Sequence, residues 1–426
     1  MISFSDIKRE ARFLVRQRHI AFLMILSFAL SVFAVWSGIA ETRAQSATIE
    51  RLLEKNDVDR QGVLAKQKNY GGAAYYSFHL TYAQPSSLAF AAMGQRDVFP
   101  WKHRIRMLAL EGQIYETDAD NPELSLQGRF DFAFLAVVLL PLFIILLLHD
   151  LRSGERAAGR YDLLVVTAAN ERKLWLSRAI VLCSSLAVAV LVPFLIGAAI
   201  SGASLQGILF FTLLVLAHIA FWMLLSLYIG KLKSLSALSS AQLASVLLAF
   251  WLSFAVLIPV GSDTIIDEVV ESPSGGQIVL TQREAVNDAW DLPFSATWDE
   301  FLKTHPEWAD KTNMNSQFEW KWYYAFQQAG DQKAANLSTA YREATQKKDA
   351  LAGWVALLSP PMLTQRLMTS IAETDIQAMT AYEQCIRDYH ASLREYYYPL
   401  LFNDVEFSVD QLKWVPEYSS AICDNT

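Results

Sequence analysis

"RFDFAFLAVVLLPLFIILLLHDLRSGERAAGR", residues 129–160, decides what kind of protein this is. Between Asp131 and the pair His149-Asp150 stand 17 residues, Phe132 to Leu148, with no Asp, Glu, Lys or Arg. As a helix such a run just crosses the roughly 30 Å of hydrocarbon in a bilayer. Beyond it Arg152, Arg156 and Arg160 follow in quick succession. An uncharged core with sharp polar ends, followed by a basic loop, predicts a membrane span that delivers its C-terminal end to the side where lysine and arginine are retained.

The rest of the chain extends this pattern. Residues 20–40, 179–205, 208–230 and 234–261 are also free of charge and long enough to span. Only 19% of the 426 residues are charged while 53% are hydrophobic; an average soluble domain is nearer a quarter charged. The basic residues Lys8, Arg9, Arg12, Arg16 and Arg18, the 150–178 loop with Arg172, Lys173 and Arg178, and the turn holding Lys231 and Lys233 all fall on one side, the cytoplasm by the positive-inside rule. The expected layout is a cytoplasmic elbow (1–18), span 1 (19–40), an extracytoplasmic insert (41–130), span 2 (131–149), a cytoplasmic loop (150–178), spans 3, 4 and 5 (179–200, 207–230, 235–261) and a second extracytoplasmic domain (262–426). That last segment carries 25 acidic against 12 basic residues, so it is strongly negative while the remainder is positive and the whole is −7. The apolar core of the first span exceeds that of a signal peptide, and "ETRAQSA" is a poor cleavage site, so it reads as a retained anchor.

Outside the spans the signals are local. Phe4, Ile7, Ala11, Leu14 and Val15 share a face opposite Lys8, Arg9, Arg12 and Arg16, which suits either a helix along the inner leaflet or a plain basic topology signal. Residues 41–68 predict a polar helix continuing from span 1 and ended by Gly71-Gly72, "AYYSFHL" predicts a strand, and Asn121-Pro122 a turn. The aromatic run 298–328 predicts the core of a small domain, and 373–398 a helix. The apolar run 351–363, broken by Pro360-Pro361, is too short to span; it suits a helix dipping into the outer leaflet or one buried in a domain. The fold class expected is thus an all-α polytopic membrane bundle of five spans, six if the 351–371 region crosses, with α+β extracytoplasmic domains.

Chemistry is sparse. Ser274-Gly275-Gly276-Gln277 matches part of the phosphate clasp of ABC ATPases, but the sole Gly-Lys pair, Gly230-Lys231, has neither the leading glycine nor the Ser/Thr of a P-loop, so the tetrapeptide reads as a turn. No His-Glu-x-x-His or Gly-x-Ser-x-Gly occurs, and Tyr161-Asp162 has no Gly-x-Gly-Asp partner. No catalytic residue, no metal site and no cofactor within the chain is expected. Within the spans, His218 and Gln242 are candidates for polar contacts between helices. Pro141, Pro193 and Pro259 each remove a backbone donor, which a bundle tolerates when neighbours satisfy the freed carbonyl. "SLSALSSAQLAS", residues 234–245, offers small residues for close helix approach. Cys183 lies in span 3, and Cys385 and Cys423 form a candidate disulfide in an oxidising compartment.

The basic loop is the most informative segment. Leu163-Leu164-Val165-Val166 are consecutive apolar residues in a polar loop and need a partner or the bilayer surface; Asn170 is placed to cap the helix of span 3. Glu-Arg-x-x-Gly-x-x-x-Leu-Leu at 155–164, together with "YYSFHLTYAQPSSLAF", "GQRDVFP", the stretch 121–160 and "LSPPMLTQRLMTSIAETD", resembles the type-2 ABC exporter permeases, in the branch with a large extracytoplasmic insert related to gliding-motility and copper-enzyme-maturation permeases. The resemblance implies that Glu155, Arg156, Gly159, Leu163 and Leu164 meet a separate ABC ATPase, which would carry the ATP and Mg. It also implies a second permease subunit, identical or paralogous, a periplasmic partner and a bacterial inner-membrane location, with lipid but no nucleic acid as a further contact. Six spans are usual in that family, one more than counted here. The alternative is a non-transporting scaffold or sensor with a ligand-binding outer domain.

Overall fold

The computed structural model describes residue 10 and residues 17–116, 130–168, 170–232 and 238–419. Most of the expected elbow helix, the Asn121-Pro122 turn and residues 234–237 of the small-residue face lie outside the described residues. The chain runs through α1 (Arg18–Leu64), α2 (Tyr70–Tyr76), strands β1 (His79–Tyr82) and β2 (Lys102–Ile105), and α3 (Glu111–Tyr115). A short helical turn, Phe132–Phe134, and a π-helical turn, Leu135–Leu139, lead into α4 (Leu140–Leu148). Two short helices follow, α5 (Ser153–Ala157) and α6 (Tyr161–Thr167), then α7 (Glu171–Ile200) and α8 (Leu205–Ile229). α9 (Ser240–Leu252) passes through a second π-helical turn, Ser253–Leu257, into α10 (Ile258–Val269). The remainder is α11 (Gly275–Asp288), α12 (Phe294–Phe301), α13 (Trp320–Ala356), α14 (Pro360–Ile371) and α15 (Ile376–Phe402).

Five helical segments are long and apolar enough to cross a membrane: α1, the Phe132 segment, α7, α8, and α9 with α10. The chain is a multi-pass membrane protein. The Phe132 segment is the hub, with 67% of its most apolar window buried inside the protein, whereas α9–α10 is peripheral at 11%. One apolar core joins these helices, built on Phe132, Ile144, Leu186, Phe194, Phe211 and Trp222. A second core lies in a head domain at one end, around Phe301, Tyr324, Phe326, Ile386 and Tyr397. The opposite end of the bundle carries α5 and α6.

Each proline in the spans has side-chain donors nearby. Leu140 N–H bonds five residues back, to Leu135, and in that register Pro141 would have bonded Ala136 O; the next carbonyl is that of Val137. His218 Nε2 lies 3.3 Å from that oxygen, and Trp251 Nε1–H donates to Val138 O at 3.0 Å. In the second π-helical turn Ile258 N–H bonds five residues back, to Ser253; in that register Pro259 would have bonded Phe254 O, which receives the Ser359 hydroxyl at 2.6 Å instead. Before Pro193, Val190 O accepts from the Ser31 hydroxyl of α1 at 2.7 Å. Backbone polar groups in hydrocarbon are costly unless bonded, so these contacts fix which helices adjoin.

Ser359 belongs to a helical hairpin rather than to a span. α13 descends from the head along α10, and α14 returns between α8 and the two π-helical turns. At 12 residues, about 18 Å, α14 cannot cross. Its Thr364 Oγ1 lies 3.1 Å from His218 Nδ1, and His218 is near the midpoint of α8. The hairpin therefore reaches the middle of the bundle and wedges apart helices that touch at their other end. This is how the 351–371 region enters: five spans and a re-entrant hairpin. At the hairpin tip Trp354 is 73% exposed, with Leu357 and Leu358 beside it, an arrangement suited to lipid contact.

The head differs from the sequence reading in four places. Among the described residues it has one antiparallel pair, with His79 opposite Ile105 and Tyr82 opposite Lys102, and is otherwise helical. "AYYSFHL" is helical through Tyr76, and the strand begins at His79. Gly71-Gly72 do not end α1, which stops at Leu64; they lie inside α2, where a Cβ on Gly71 would stand 1.9 Å from the Trp320 ring. Close approach, not helix termination, requires glycine there. Ser274-Gly275-Gly276-Gln277 is not a free turn but the capping box of α11: Ser274 Oγ accepts from Gln277 N–H at 3.2 Å, and Gln277 Oε1 accepts from Ser274 N–H at 2.9 Å. The aromatic run from Trp298 does form core, although it is split between α12, a 3-10 turn and α13.

Two measurements test this architecture. A cysteine placed at Leu358 will react with a membrane-permeant maleimide but not an impermeant one, while one at the exposed Asp310 will react with an impermeant reagent added to the head side; labelling of position 358 by the impermeant reagent would place the hairpin outside the bilayer. The head also holds three neutral histidines, His79 and His390 buried and His103 half-buried. Burial, helped by the Arg60 charge, pushes His79 down to about 3; burial takes His103 down to about 4 and His390 well below its usual range. Unfolding lets each take up a proton below about pH 6.5, so stability is lost as pH falls through the window from there to the depressed values, by up to ~1.4 kcal/mol per pH unit for each histidine. Thermal unfolding of the head from pH 7.5 to 5 will show this slope, and His79→Gln will reduce it.

Candidate functional site

The α5–α6 pair is held against the bundle by charges that are themselves buried. Glu155 accepts Arg178 Nη1–H and Arg160 Nε–H, each at 2.8 Å, and Arg178 Nε–H donates to Glu10 at 2.8 Å. Arg178, Glu155 and Glu10 are all nine-tenths or more buried. A planar guanidinium can bridge two carboxylates in this way, while an ammonium lacks the fork. Tyr161 stacks on Trp175 at 5.9 Å, both donate to Glu171 Oε1, and Arg156 lies over the Tyr161 ring at 4.6 Å. Ser240 Oγ donates to Ser153 Oγ at 2.9 Å, tying α5 to α9. The turn between α5 and α6 places Gly159 at φ +67°, where a Cβ would meet no atom but the backbone itself disfavours any other residue.

The result is a seven-residue helix whose apolar residues face outward. Leu163 is 66% exposed and Val166 83%, while Leu164 and Val165 are half-buried. Among the residues singled out from sequence, Arg156, Gly159 and Leu163 are at the surface. Glu155 is not: it is the buried anchor of the pair. Asn170 does cap α7, its Oδ1 accepting Lys173 N–H at 3.2 Å. Arg178 and Glu10 were missed as a pair because their partnership spans 168 residues; the sequence signal was an arginine at the mouth of an uncharged span.

The intramembrane candidates separate. His218 is buried at the meeting point of α8, the first π-helical turn and α14, with Trp222 Nε1 3.2 Å from its Nε2. An Nε2–H serves Val137 O while Nδ1 accepts the Thr364 hydroxyl; in the other tautomer Nε2 accepts from Trp222 and Nδ1–H donates to Thr364. Gln242 is not an interhelical contact. It is exposed at the start of α9, where its Oε1 accepts Ser239 N–H at 2.9 Å in a capping box, because Ser-x-x-Gln at a helix start satisfies its own end. Cys385 is disulfide-bonded and Cys183 is free; Cys423 lies outside the described residues. Among the described residues no group of three or more His, Cys, Asp or Glu is placed to hold a metal ion.

Replacing Arg178 by Met removes the guanidinium that bridges Glu155 and Glu10, a loss of the kind that costs about 3–5 kcal/mol in buried pairs. The expected outcome is rapid proteolysis within 153–167 of the folded protein, and Arg178→Lys will not restore protection.

Residues 277–421, which run from α11 through α15 and the segment beyond it, match the family model described as "Domain of unknown function (DUF3526)". Neither the curated proteins nor the solved structures include a match to this chain.

Proposed function

We propose that the chain is the membrane permease subunit of an ATP-driven type-2 exporter or mechanotransmitter, working with a separate cytoplasmic ABC ATPase. The observation that carries the reading is α6, a short helix that exposes Leu163 and Val166 and is fixed in position by the buried Glu155–Arg178–Glu10 ions. Exposed apolar side chains on a rigidly held helix suit insertion into a groove of a partner. The basic residues of the loop support a cytoplasmic position for α6, in a bacterial inner membrane with the head in the periplasm. The peripheral α9–α10 face leaves room for a second permease subunit, identical or paralogous. ATP and Mg would bind on the ATPase; in this chain the work is transmission, through Ser153 to α9 and through Arg178 to α7.

A sensor or scaffold that does not transport is the second reading. What favours it is a cleft of about 560 Å³ in the head, walled by charged and aromatic side chains including Trp308, Asp331, His390 and Arg394. ATP turnover that responds to the permease separates the two.

The test is the double substitution Leu163→Asp with Val166→Asp. Because neither side chain is buried, the protein keeps its thermal stability, while the ATPase copurifying from native membranes falls by about tenfold or more, as loss of an interface anchor would give. A P-loop protein retained at the wild-type level by a folded double variant would overturn the assignment.

A further inference from the structure

Where α1 leaves the membrane on the head side, it forms one wall of a groove of about 310 Å³ whose opposite wall is the segment 85–87 and the α7–α8 turn at Ser201. The groove follows one stripe of α1, made of Ile39, Arg43, Ser46 and Glu50, which are three or four residues apart and so share a face. Its neighbours fix the membrane level: α7 ends at Ile200 and α8 begins at Leu205, so Ser201 stands where two spans turn. Ile39 lies over Gly197 of α7, and Trp36, one turn further into the membrane, is exposed, as is Ile200. The groove is apolar at its membrane end and polar at its outer end.

Its charged lining residues are Arg43, nearer the membrane, and Glu50, two turns farther out. Among the described residues neither side chain has an ion pair or a hydrogen bond, and the hydroxyls of Ser46, Ser87 and Ser201 have no partner either. The charged residues beside them in sequence face elsewhere, because positions one or two apart do not share a helix face. Glu41 accepts from Gln45 Nε2 at 2.9 Å, and Arg51 donates to Thr48 at 3.2 Å. Arg43 and Glu50 are therefore a cation and an anion that each lack a partner, set about 10.5 Å apart along the axis. A zwitterionic phospholipid presents chain, phosphate and ammonium in the order in which the groove presents Ile39, Arg43 and Glu50. A guanidinium meets a phosphate through two parallel N–H bonds, and serine hydroxyls can donate to the oxygens left over. We infer that the groove holds one phosphatidylethanolamine of the head-side leaflet, its phosphate on Arg43, its ammonium on Glu50 and a chain against Ile39 and Trp36. A choline headgroup keeps the positive charge but has no N–H for Glu50; a glycerol headgroup has no cation at all. The site is at the opposite end of the bundle from α6, so lipid binding and ATPase docking can fail independently.

The test uses the full-length protein in a neutral detergent, offered equimolar dioleoyl phosphatidylethanolamine, phosphatidylglycerol and phosphatidylcholine, with bound lipid counted by native mass spectrometry. One phosphatidylethanolamine is expected per chain, favoured over each competitor by about fivefold, the ratio that one exposed ion pair can give. Glu50→Gln will remove this preference while phosphatidylcholine binding stays in place, and Arg43→Gln will weaken binding of all three lipids. The exchange Arg43→Glu with Glu50→Arg keeps the net charge but reverses the order of the charges, and it too will lose the preference. Both side chains are exposed, so each variant keeps the thermal stability of the wild type. Soluble phosphoethanolamine at the concentration of the lipid will not displace it; displacement would make the free headgroup the ligand and overturn the lipid assignment. Equal retention of the three lipids by the wild type, or a preference that survives in the folded Glu50→Gln or exchange variant, would overturn it as well.

Discussion

A backbone carbonyl in hydrocarbon must find a donor, and in this protein that requirement decides which helices are neighbours. Pro141, Pro193 and Pro259 each leave the local ladder short of an N–H. Side chains from other elements bond carbonyls at or beside these places: Trp251 of α9 in the Phe132 segment, Ser31 of α1 at the Val190 carbonyl of α7, Ser359 in the fifth span, and His218 of α8 at Val137 in one of its two tautomers. In water such bonds would be worth little net, because water competes for both partners. In lipid the unbonded alternative is expensive, so a few side chains can specify the packing of long and otherwise interchangeable apolar helices.

The spans were legible because the sequence signal is an absence, the lack of charge over 17 or more residues, which needs no knowledge of partners. The need for carbonyl acceptors to be met was legible too, from the prolines alone. Who meets it was not, since Ser359 and Phe254 are 105 residues apart. The hairpin admitted two readings, a dip into the outer leaflet or a buried domain helix, for a related reason: α14 contains Thr364, Gln365 and Arg366, and only its contacts reveal where it lies. At the loop, the outward apolar residues of α6 were readable from four consecutive hydrophobics. The inward role of Glu155 was not, because a glutamate in a basic loop looks solvated until Arg178 and Glu10 are seen around it.

The two ends of the molecule are joined by rods rather than by loops. α1 is 47 residues long without a break, roughly 70 Å, and contributes Val35 to the bundle core and Ile49 to the packing beyond it. α13, at 37 residues, carries Trp322 and Phe326 in the head core and ends at the hairpin tip. At the other end Ser153 and Arg178 attach the α5–α6 pair to different helices, α9 and α7. A displacement of the pair would therefore act on two spans at once, one of them the peripheral segment that the hairpin braces.

The re-entrant hairpin also sets an order of assembly. The spans are complete by Val269, yet the slot between the Phe132 segment and α10 is filled by residues that emerge from the ribosome about ninety positions later. α14 cannot be handed to the bilayer as a span, for it is too short and carries Arg366. It reaches its seat only from the head side of the bundle. The newly inserted helices must wait in an unfinished arrangement, with the Phe254 carbonyl uncapped, until Ser359 arrives. Biogenesis of this protein thus closes last at the middle of the membrane rather than at its surface.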